Sequence, residues 1–398
     1  MNEQAKFNMK SEPTFDVIVY GATGFTGQLV AEYLAKTYPQ PKDLKWAIAG
    51  RNKAKLEALK TSLKLHNDVA CLQADSSDVE SLKSLVEGAK VILTTVGPYQ
   101  LYGSKLVELC AINGTDYVDL CGEPTWMHEM INAHQQTAEK SGARIVFSCG
   151  FDSIPFDLGV YYLQKKAQST FSQPFKRIKG RVRGMKGTFS GGTKASLQAT
   201  MAAAKKDKNI MAVLLNPFAL TPGFTGAEQP LGNKPLFEDE FNSWSAPFIM
   251  AAINTRNIHR SNYLFNHAYG QEFVYDEMMF TGPGEKGQAI AEHVAADKSM
   301  ASDAGPKPGE GPSKEEREAG FFDVIFSGNE QGNRLTVAVK GNMDPGYGTT
   351  SKMISESAVC LAKDDIAVKG GIWTTAPAMG DKLIERLVAK AGMTFSVE

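Results

Sequence analysis

The sequence has little net charge, few cysteines and no long apolar run. Its 398 residues carry a formal net charge of −1 at pH 7, so no bulk attraction to nucleic acid or to an anionic surface is expected. The five cysteines are an odd number without a CxxC pair, which argues against a disulfide framework or a zinc ribbon. The six histidines show no HxH or HExxH spacing. We therefore expect a cytoplasmic protein without a metal site, whose ligand is a small molecule.

Neither the N-terminus nor any apolar segment is typical of a membrane-targeted chain. Residues 1–13 are polar, lack the apolar core of a secretory signal and are expected to form a flexible tail. No stretch approaches the ~18 uninterrupted apolar residues of a spanning helix. The nearest one, IMAVLLNPFALTPGF, is broken by Asn216 and Pro217. It is more typical of a buried helix end, although a peripheral contact with a membrane surface is left open.

Between Phe15 and Phe147, short β-branched runs alternate with amphipathic ones. FDVIVY, KWAIAG, VACLQA, KVILTTV, DYVDL and ARIVFS are typical of buried strands, and a helical pattern separates each from the next. The repeat predicts an α/β fold, a Rossmann-like doubly wound parallel sheet over residues 14–152. Such sheets bind ligands at the carboxyl ends of their strands.

After Gly150 the rhythm changes, and residues 153–345 are predicted to form a second, α+β substrate domain. The basic run FKRIKGRVRGMK alternates as a strand whose charges are expected to be solvated, and FFDVIFSGNE and NRLTVAVKGN are expected to pair antiparallel. The Gly- and Pro-rich stretch 301–320 is either a mobile lid or a disordered loop. Residues 346–398 are predicted to be a helical segment that packs back on the first domain.

Three glycines follow the first predicted strand and open a helix, in the sequence VYGATGFTG. This context favours a dinucleotide site, because glycine lets the backbone approach a pyrophosphate at the positive end of the helix. A turn without a ligand is the alternative. The expected contacts are Gly21, Ala22, Thr23, Gly24, Phe25, Thr26 and Gly27.

The end of the second predicted strand indicates which dinucleotide is bound. NAD enzymes usually place an acid there on the ribose hydroxyl, but no acid occurs between Asp43 and Glu57. Arg51 and Asn52 stand there instead, and a guanidinium suits a ribose phosphate. NADP(H) is therefore the predicted cofactor, with a solvated basic turn as the alternative.

Two further segments are expected near the cofactor. Asp75, at the end of the third predicted strand, either faces the adenine or caps the following helix. The loop after the fourth strand is expected to lie against the nicotinamide, unless it is only a structural turn. Its residues are Thr95, Val96, Gly97, Pro98 and Tyr99.

Several motifs together carry a family resemblance. VYGATGFTG, AGRN, VGPYQLYG, YVDLCGE, GFDSIPFDLG, SGGTKASL and DPGYGTTSKMISESA occur in this order over nearly the whole chain. The chain resembles the saccharopine dehydrogenase-like oxidoreductases, which include the mycobacterial trans-acting enoyl reductases. The resemblance implies an NADP-binding Rossmann domain, a second α/β domain and hydride transfer to or from a small or acyl, lipid-like substrate. The sequence offers no convincing basic set for an amino dicarboxylate, and it leaves the oligomeric state open, a homodimer included.

Three residues at predicted strand ends are candidates for the chemistry: Tyr99, Cys121 and Asp152. Each has a structural alternative, namely packing under the cofactor, a buried thiol and a helix cap. A non-catalytic NADP(H)-binding protein, lipid-associated or redox-sensing, is a second hypothesis. The discriminating feature is a closed pocket with polar groups beside the nicotinamide.

A third hypothesis is a short-chain dehydrogenase. Ser148, Tyr161 and Lys165 copy its Ser and Tyr-x-x-x-Lys arrangement, in which the lysine lowers the pKa of the tyrosine. However, Ile154, Leu158 and Tyr161 have helical spacing that is typical of a core-facing stripe. We therefore expect Tyr161 to be buried among apolar side chains and Lys165 to point to solvent or to an acid.

Overall fold

The first sheet is parallel and central, because its strands are continuous apolar runs with helices on both faces. The computed structural model describes residues 12–188, 191–297 and 309–398. The strands are β1 Phe15–Tyr20, β2 Trp46–Gly50, β3 Ala70–Gln73, β4 Ala89–Thr94, β5 Asp116–Val118, β6 Arg144–Val146 and β13 Gly371–Trp373. Their order is β13-β6-β5-β4-β1-β2-β3, with all pairs parallel. The predicted Rossmann-like α/β fold is thus confirmed.

Helices connect these strands and bury one face each. They are α1 Phe25–Thr37, α2 Lys53–Ser62, α3 Val79–Gly88, α4 Tyr99–Tyr102, α5 Ser104–Asn113, α6 Pro124–Ser141 and α7 Ile154–Phe171. The chain order reverses at β1, which lies between β2 and β4. A sheet of this kind opens a crevice at the carboxyl ends of the strands where the order reverses.

The second sheet is mixed and has the order β14-β12-β11-β7-β10-β9-β8. Its strands are β7 Arg177–Lys186, β8 Leu236–Glu238, β9 Ser243–Pro247, β10 Val274–Gly282, β11 Phe321–Glu330, β12 Asn333–Gly341 and β14 Met393–Val397. The predicted hairpin of β11 and β12 is antiparallel, as expected. The remaining helices are α8 Gly191–Lys206, α9 Lys208–Leu215, α10 Ala251–Leu264, α11 Gly284–Ala296, α12 Lys314–Glu318, α13 Thr350–Lys363 and α14 Thr375–Arg386.

The C-terminal segment is more than a set of helices. Helix α13 packs on α1, β1 and β4, while β13 extends the first sheet beside β6 and β14 extends the second beside β12. The segment from residue 346 onward therefore contributes a strand to each sheet. The division of the chain into domains itself remains a prediction.

Two expectations concern segments that are described only in part. Residues 1–11 and 298–308 lie outside the described residues, and with them most of the predicted tail and the first part of the 301–320 stretch. The described remainder, 309–320, contains the short helix α12, Lys314–Glu318, which starts with a capping box of Ser313 and Glu316.

The charges of β7 are not all solvated, contrary to expectation. Arg181 is buried and donates to Glu238 at 2.6 Å, and it also pairs with Asp276 at 2.9 Å. Burial of the guanidinium is tolerated because two carboxylates pair with it and accept its hydrogen bonds. This strand is therefore fixed within its sheet by ion pairs as well as by its ladder.

A buried carboxylate joins α13 to the first domain. Glu356 is fully buried and accepts from the Tyr33 hydroxyl at 2.8 Å, from the Tyr38 hydroxyl at 2.8 Å and from Arg386 at 3.1 Å. Tyr33 belongs to α1 and Tyr38 directly follows it. The orientation of α1, whose first turn faces the crevice, thus depends on the C-terminal segment.

Replacing Glu356 by alanine is expected to destabilise the protein by about 1–3 kcal/mol, because the Tyr33 and Tyr38 hydroxyls lose their acceptor while Arg386 keeps only Asp364 as a carboxylate partner among the described residues. Urea unfolding measures this loss. The matched control is Glu385→Ala on α14, where the side chain is 69% exposed and pairs with Lys382 at 3.9 Å. A loss for Glu356→Ala as small as that of the control would contradict the role given to this network.

Candidate functional site

In the glycine turn, the backbone at the start of α1 packs closely against the backbone that follows β1. Gly21 has a φ of +89°, and the Gly24 amide donates to its carbonyl at 3.0 Å. A Cβ at Gly27 would lie 2.2 Å from that same oxygen, so only glycine lets α1 pack directly under the end of β1. At Gly24 a Cβ would be 3.3 Å from the oxygen, and Gly24 is exposed. Gly24 is therefore the glycine whose missing side chain leaves room for a ligand.

The first turn of α1 is a ready anion site. Its N-cap is Gly24, which offers no side chain to cap the free amides, and the turn contains no acidic residue. Free amides and the positive end of a helix favour a phosphate. Ala22 and Gly27 are buried in the turn, whereas Thr23, Phe25 and Thr26 keep partial exposure.

The loop after β4 lies against this turn, and its expected contact with the nicotinamide stays a prediction. Thr95 Oγ1 donates to the Gly21 carbonyl at 3.3 Å, and a Cβ at Gly21 would meet Val96 Cγ2 at 2.7 Å. Thr95, Gly97 and Tyr99 line the cleft that begins here, together with Phe25 and Thr26 of the turn. The turn and the loop form one continuous edge.

Arg51 and Asn52, the two residues that follow β2, have different roles. Arg51 is exposed, and its guanidinium donates no hydrogen bond to any residue that the structure describes. Asn52 is the N-cap of α2 and accepts from the Lys55 amide at 3.0 Å. The Asn52 side chain thus orders the helix, and Arg51 is the group that could reach a ribose phosphate.

The capping alternative for Asp75 is wrong. The N-cap of α3 is Asp78, which accepts from the amides of Glu80 and Ser81. Asp75 accepts instead from the amide and the hydroxyl of Ser77, at 2.9 and 2.7 Å. These hydrogen bonds, followed by the charge of Arg51, lower the pKa of Asp75. Asp75 therefore closes a local turn beside Arg51.

A cleft of about 330 Å³ extends from the turn toward the second sheet. The first sheet supplies the glycine turn and the ends of β4, β5 and β6, while α8, α9 and α10 supply the opposite wall. Thr350 of α13 also lines the cleft and accepts from the Phe151 amide at 3.0 Å. A partly enclosed cleft with polar side chains thus lies beside the predicted nicotinamide position.

Tyr99 is placed in the cleft, but its hydroxyl is already engaged. The ring is buried, and the hydroxyl accepts from the Leu120 amide at 3.0 Å. Burial first, and then the nearby Asp119 and other acids, raises the pKa of Tyr99 well above its usual value. Tyr99 is suited to shaping the loop rather than to exchanging protons.

Glu123 is a site residue that the sequence reasoning missed. Its buried carboxylate accepts from the amides of Tyr99 and Gln100, at 2.8 and 2.9 Å, and from the Ser196 hydroxyl at 2.6 Å. It therefore holds the start of α4 and fixes α8 to the first domain. An acid just before Pro124, at a helix start, is the signal in the sequence that could have indicated it.

Cys121 is fully buried and is not among the residues that line the cleft. Its sulfur accepts from the Glu123 amide at 3.3 Å. Burial and the acids Asp119 and Glu123 raise the pKa of this thiol well above its usual value. The structure thus offers Cys121 no route to a reacting group.

Asp152 is the candidate that the cleft leaves accessible. It lines the cleft, is half-buried, and makes no hydrogen bond to any group of the described residues. Burial raises its pKa to about 7. It does not cap α7, since the N-cap is Ser153. A carboxyl group that is partly protonated at neutral pH therefore faces the cleft.

The short-chain dehydrogenase alternative is wrong. Ser148 is buried and donates to the Cys121 carbonyl at 2.6 Å, while Tyr161 stacks on Phe265 and Lys165 pairs with Asp381. Ser148, Tyr161 and Lys165 do not line the cleft. As expected, Lys165 points to an acid, while Tyr161 packs against the core but is only half-buried.

Comparison with known proteins agrees with this site. A family model described as the saccharopine dehydrogenase NADP binding domain matches residues 17–146. A Mycobacterium tuberculosis H37Rv protein named as a candidate trans-acting enoyl reductase is 38% identical over 96% of this chain and 97% of its own. A trans-acting enoyl reductase of Mycobacterium ulcerans is 33% identical, with 94% and 95% covered. This chain belongs to the saccharopine dehydrogenase-like oxidoreductase family.

The fold of a solved saccharopine dehydrogenase is similar as well. The apo L-Glu-forming enzyme of Saccharomyces cerevisiae aligns over 96% of this chain and 100% of its own, with a TM-score of 0.54 and 11% identity. At this identity the likeness shows the fold alone. The family model and the curated relatives make the chain a member of an oxidoreductase family with an NADP-binding domain.

The residues present fit NADP(H), the cofactor of this domain type. Gly24 leaves open the space that a side chain would occupy at the first turn of α1, and Arg51 stands where an acid would select NAD. Within the described ranges no cluster of three or more His, Cys, Asp and Glu is placed to hold a metal. Nor does any described helix have the length and apolar composition needed to cross a bilayer.

Gly24→Val is expected to abolish NADPH binding in a folded protein, because the branched side chain fills the approach of the pyrophosphate. Gly24 has ordinary extended backbone angles, and a Cβ there would need the Gly21 carbonyl oxygen, 3.3 Å away, to move by only a few tenths of an ångström. Gly27→Val is the contrasting variant, which should fail to fold because of its clash with Gly21. Calorimetric titration and circular dichroism distinguish the two results, and unchanged affinity in folded Gly24→Val would show that the turn binds nothing.

Arg51→Ala is expected to remove most of the preference for NADPH over NADH. A charge-assisted contact contributes about 1.5–3 kcal/mol, or about ten- to 150-fold in affinity. Lys42→Ala, an exposed position before β2, is the matched control. Equal affinities of the unmodified protein for the two cofactors would show that Arg51 does not select.

Proposed function

We propose that this protein uses NADPH to reduce the carbon–carbon double bond of an uncharged acyl substrate. The observation that carries the proposal is the chemistry of the cleft wall. Among the described residues that line it there is no lysine, arginine or histidine, and the titratable groups are Asp152, Tyr99 and Tyr347. The relatives named as enoyl reductases support the same reaction class.

The apolar side chains of the cleft favour a hydrocarbon portion in the substrate. They come from both halves of the molecule: Leu120, Phe151, Met185, Leu197, Leu214, Ile249, Met250 and Ile253. Each methylene group of a ligand that is buried against an apolar wall stabilises binding by about 0.8 kcal/mol. An acyl chain uses such a wall along its whole length.

The same lining disfavours a free carboxylate or an amino dicarboxylate. Moving an ionised group into this cleft would cost several kcal/mol without a cation to pair it. The half-buried Asp152 would add repulsion once it is ionised. A thioester or an ester, in which the carboxyl group is uncharged, avoids both costs.

Asp152 is suited to supply the proton. When bound, NADPH supplies the hydride. Reduction of a double bond conjugated to a carbonyl adds the hydride to one carbon and a proton to its neighbour. A pKa of about 7 leaves a large share of Asp152 protonated at neutral pH. Proton transfer leaves its carboxylate, which recovers a proton from water through the open side of the cleft.

The shape of the cleft favours an enzyme over a protein that only binds NADP(H). A binding module needs no cleft beside the nicotinamide, and the partly enclosed cleft of about 330 Å³ next to the glycine turn, lined by Asp152, Ser196 and Thr200, supports a substrate site. In this scheme Tyr99 shapes the loop and Cys121 packs beneath it.

Asp152→Asn is expected to lower the rate of NADPH oxidation by about 100- to 10,000-fold, with an α,β-unsaturated acyl N-acetylcysteamine thioester as substrate. In the unmodified protein kcat/KM should fall above about pH 7, by about tenfold per pH unit, because the protonated carboxyl is lost. The variant should lack this alkaline decline. An unchanged rate in Asp152→Asn would exclude Asp152 as the donor.

A stability measurement tests the raised pKa without any substrate. A folded-state pKa above the unfolded value means that stability is lost as pH rises from about 4 through about 7. Asp152→Asn should therefore be more stable than the unmodified protein by about 1–3 kcal/mol near pH 8, and not near pH 4. Asp43→Asn, at an exposed position, is the control and should show no such pH dependence.

A further inference from the structure

Helices α8 and α9 form a hairpin whose inner side is held by polar contacts. Ser196 donates to Glu123, and Gln100 Nε2 donates to Thr200 Oγ1 at 3.1 Å. At the end of α9 the buried Arg256 donates to the Leu214 carbonyl. The hairpin is thus fixed as one wall of the cleft, and its other side is turned away from the protein.

The outward side of the hairpin is apolar. In α9, all eight residues of which the structure describes, not one is buried, and Leu215 is 75% exposed. Met211 and Leu215 are four residues apart and share a face, and Met201 of α8 is exposed as well. The expectation that this apolar segment forms a buried helix end is therefore wrong for α9. Burial begins only at Phe218, Ala219 and Leu220.

Lysines lie at one end of this apolar side. Lys205, Lys206 and Lys208 are exposed at the turn between the two helices, where the one acid, Asp207, uses its carboxylate to cap α9. The whole chain has a net charge of −1, so the positive charge of this tip is local. An apolar helical face beside lysines is the pattern of helices that lie in an anionic lipid interface.

Exposed apolar residues of α4 adjoin the hairpin. Leu101 and Tyr102 follow Gln100, whose side chain bonds to Thr200, the neighbour of Met201. Inside the same hairpin, Leu197 and Leu214 line the cleft. A membrane seated on this surface would therefore lie beside the apolar wall of the cleft.

We propose that the surface formed by α9, the end of α8 and residues 101–102 docks on an anionic phospholipid bilayer. Exposed leucine and methionine side chains enter the interface, and the three lysines pair with the lipid phosphates. The inference goes beyond the proposed reduction and does not depend on it, since docking needs neither cofactor nor turnover.

Sedimentation of the full-length protein with vesicles tests the docking surface. The protein should sediment with vesicles of phosphatidylcholine and phosphatidylglycerol, much less with phosphatidylcholine alone, and less in high salt. Replacing Lys205, Lys206 and Lys208 by glutamine should weaken binding about 100-fold, since each lysine near such a surface contributes about fivefold. The double variant Met211→Glu, Leu215→Glu should lose sedimentation while it retains NADPH affinity and the circular dichroism spectrum.

Ile112→Glu is the matched control for an added charge. Ile112 is 60% exposed near the end of α5, which leads to the amino edge of the first sheet, opposite the cleft. This variant should sediment like the unmodified protein. The proposal is overturned if the unmodified protein stays in solution with anionic vesicles, as it would if the hairpin docked only on another protein. It is also overturned if the double variant sediments normally.

Discussion

The contact between Gly27 and the carbonyl oxygen of Gly21 determines the geometry at the carboxyl edge of the first sheet. Because a Cβ at position 27 would lie 2.2 Å from that oxygen, α1 can pack this closely under the end of β1 only with glycine there. The first amides of α1 are then left at the edge, without a side-chain cap, and Thr95 and Val96 lie against Gly21, whose φ is positive. The predicted cofactor position thus depends on backbone packing.

The second half of the site is connected to this edge by Glu123. A buried carboxylate is costly, and here three donors from α4 and α8 offset the cost. Because Ser196 is one of these donors, the wall formed by α8 is positioned by Glu123, in the segment that follows β5. The helix α8 is therefore attached to the edge of the first sheet at the cleft by a hydrogen-bonded carboxylate.

The elements that were predictable from the sequence are those with local causes. The βα rhythm, the glycine turn and the position of Arg51 follow from neighbouring residues. The features that sequence reasoning missed depend on partners that are distant in the chain. Arg181 can be buried because Glu238, 57 residues away, accepts hydrogen bonds from its guanidinium. The strands β13 and β14 form because the C-terminal segment pairs with β6 of the first sheet and with β12 of the second. Apolar composition likewise did not reveal that α9 lacks a partner, since burial is a property of the fold and not of the segment.

The absence of a lysine, arginine or histidine from the described lining of the cleft connects the proposed acid with the proposed substrate. A cation beside Asp152 would favour its ionised form and return its pKa toward that of an ordinary aspartate. The same cation would attract free carboxylates into the cleft. Without it, burial alone acts on Asp152, so the carboxyl holds a proton near neutral pH and the site gives an anion no compensation. The proton supply and the selection of an uncharged substrate therefore have one physical cause, and a mutation that altered one would alter the other.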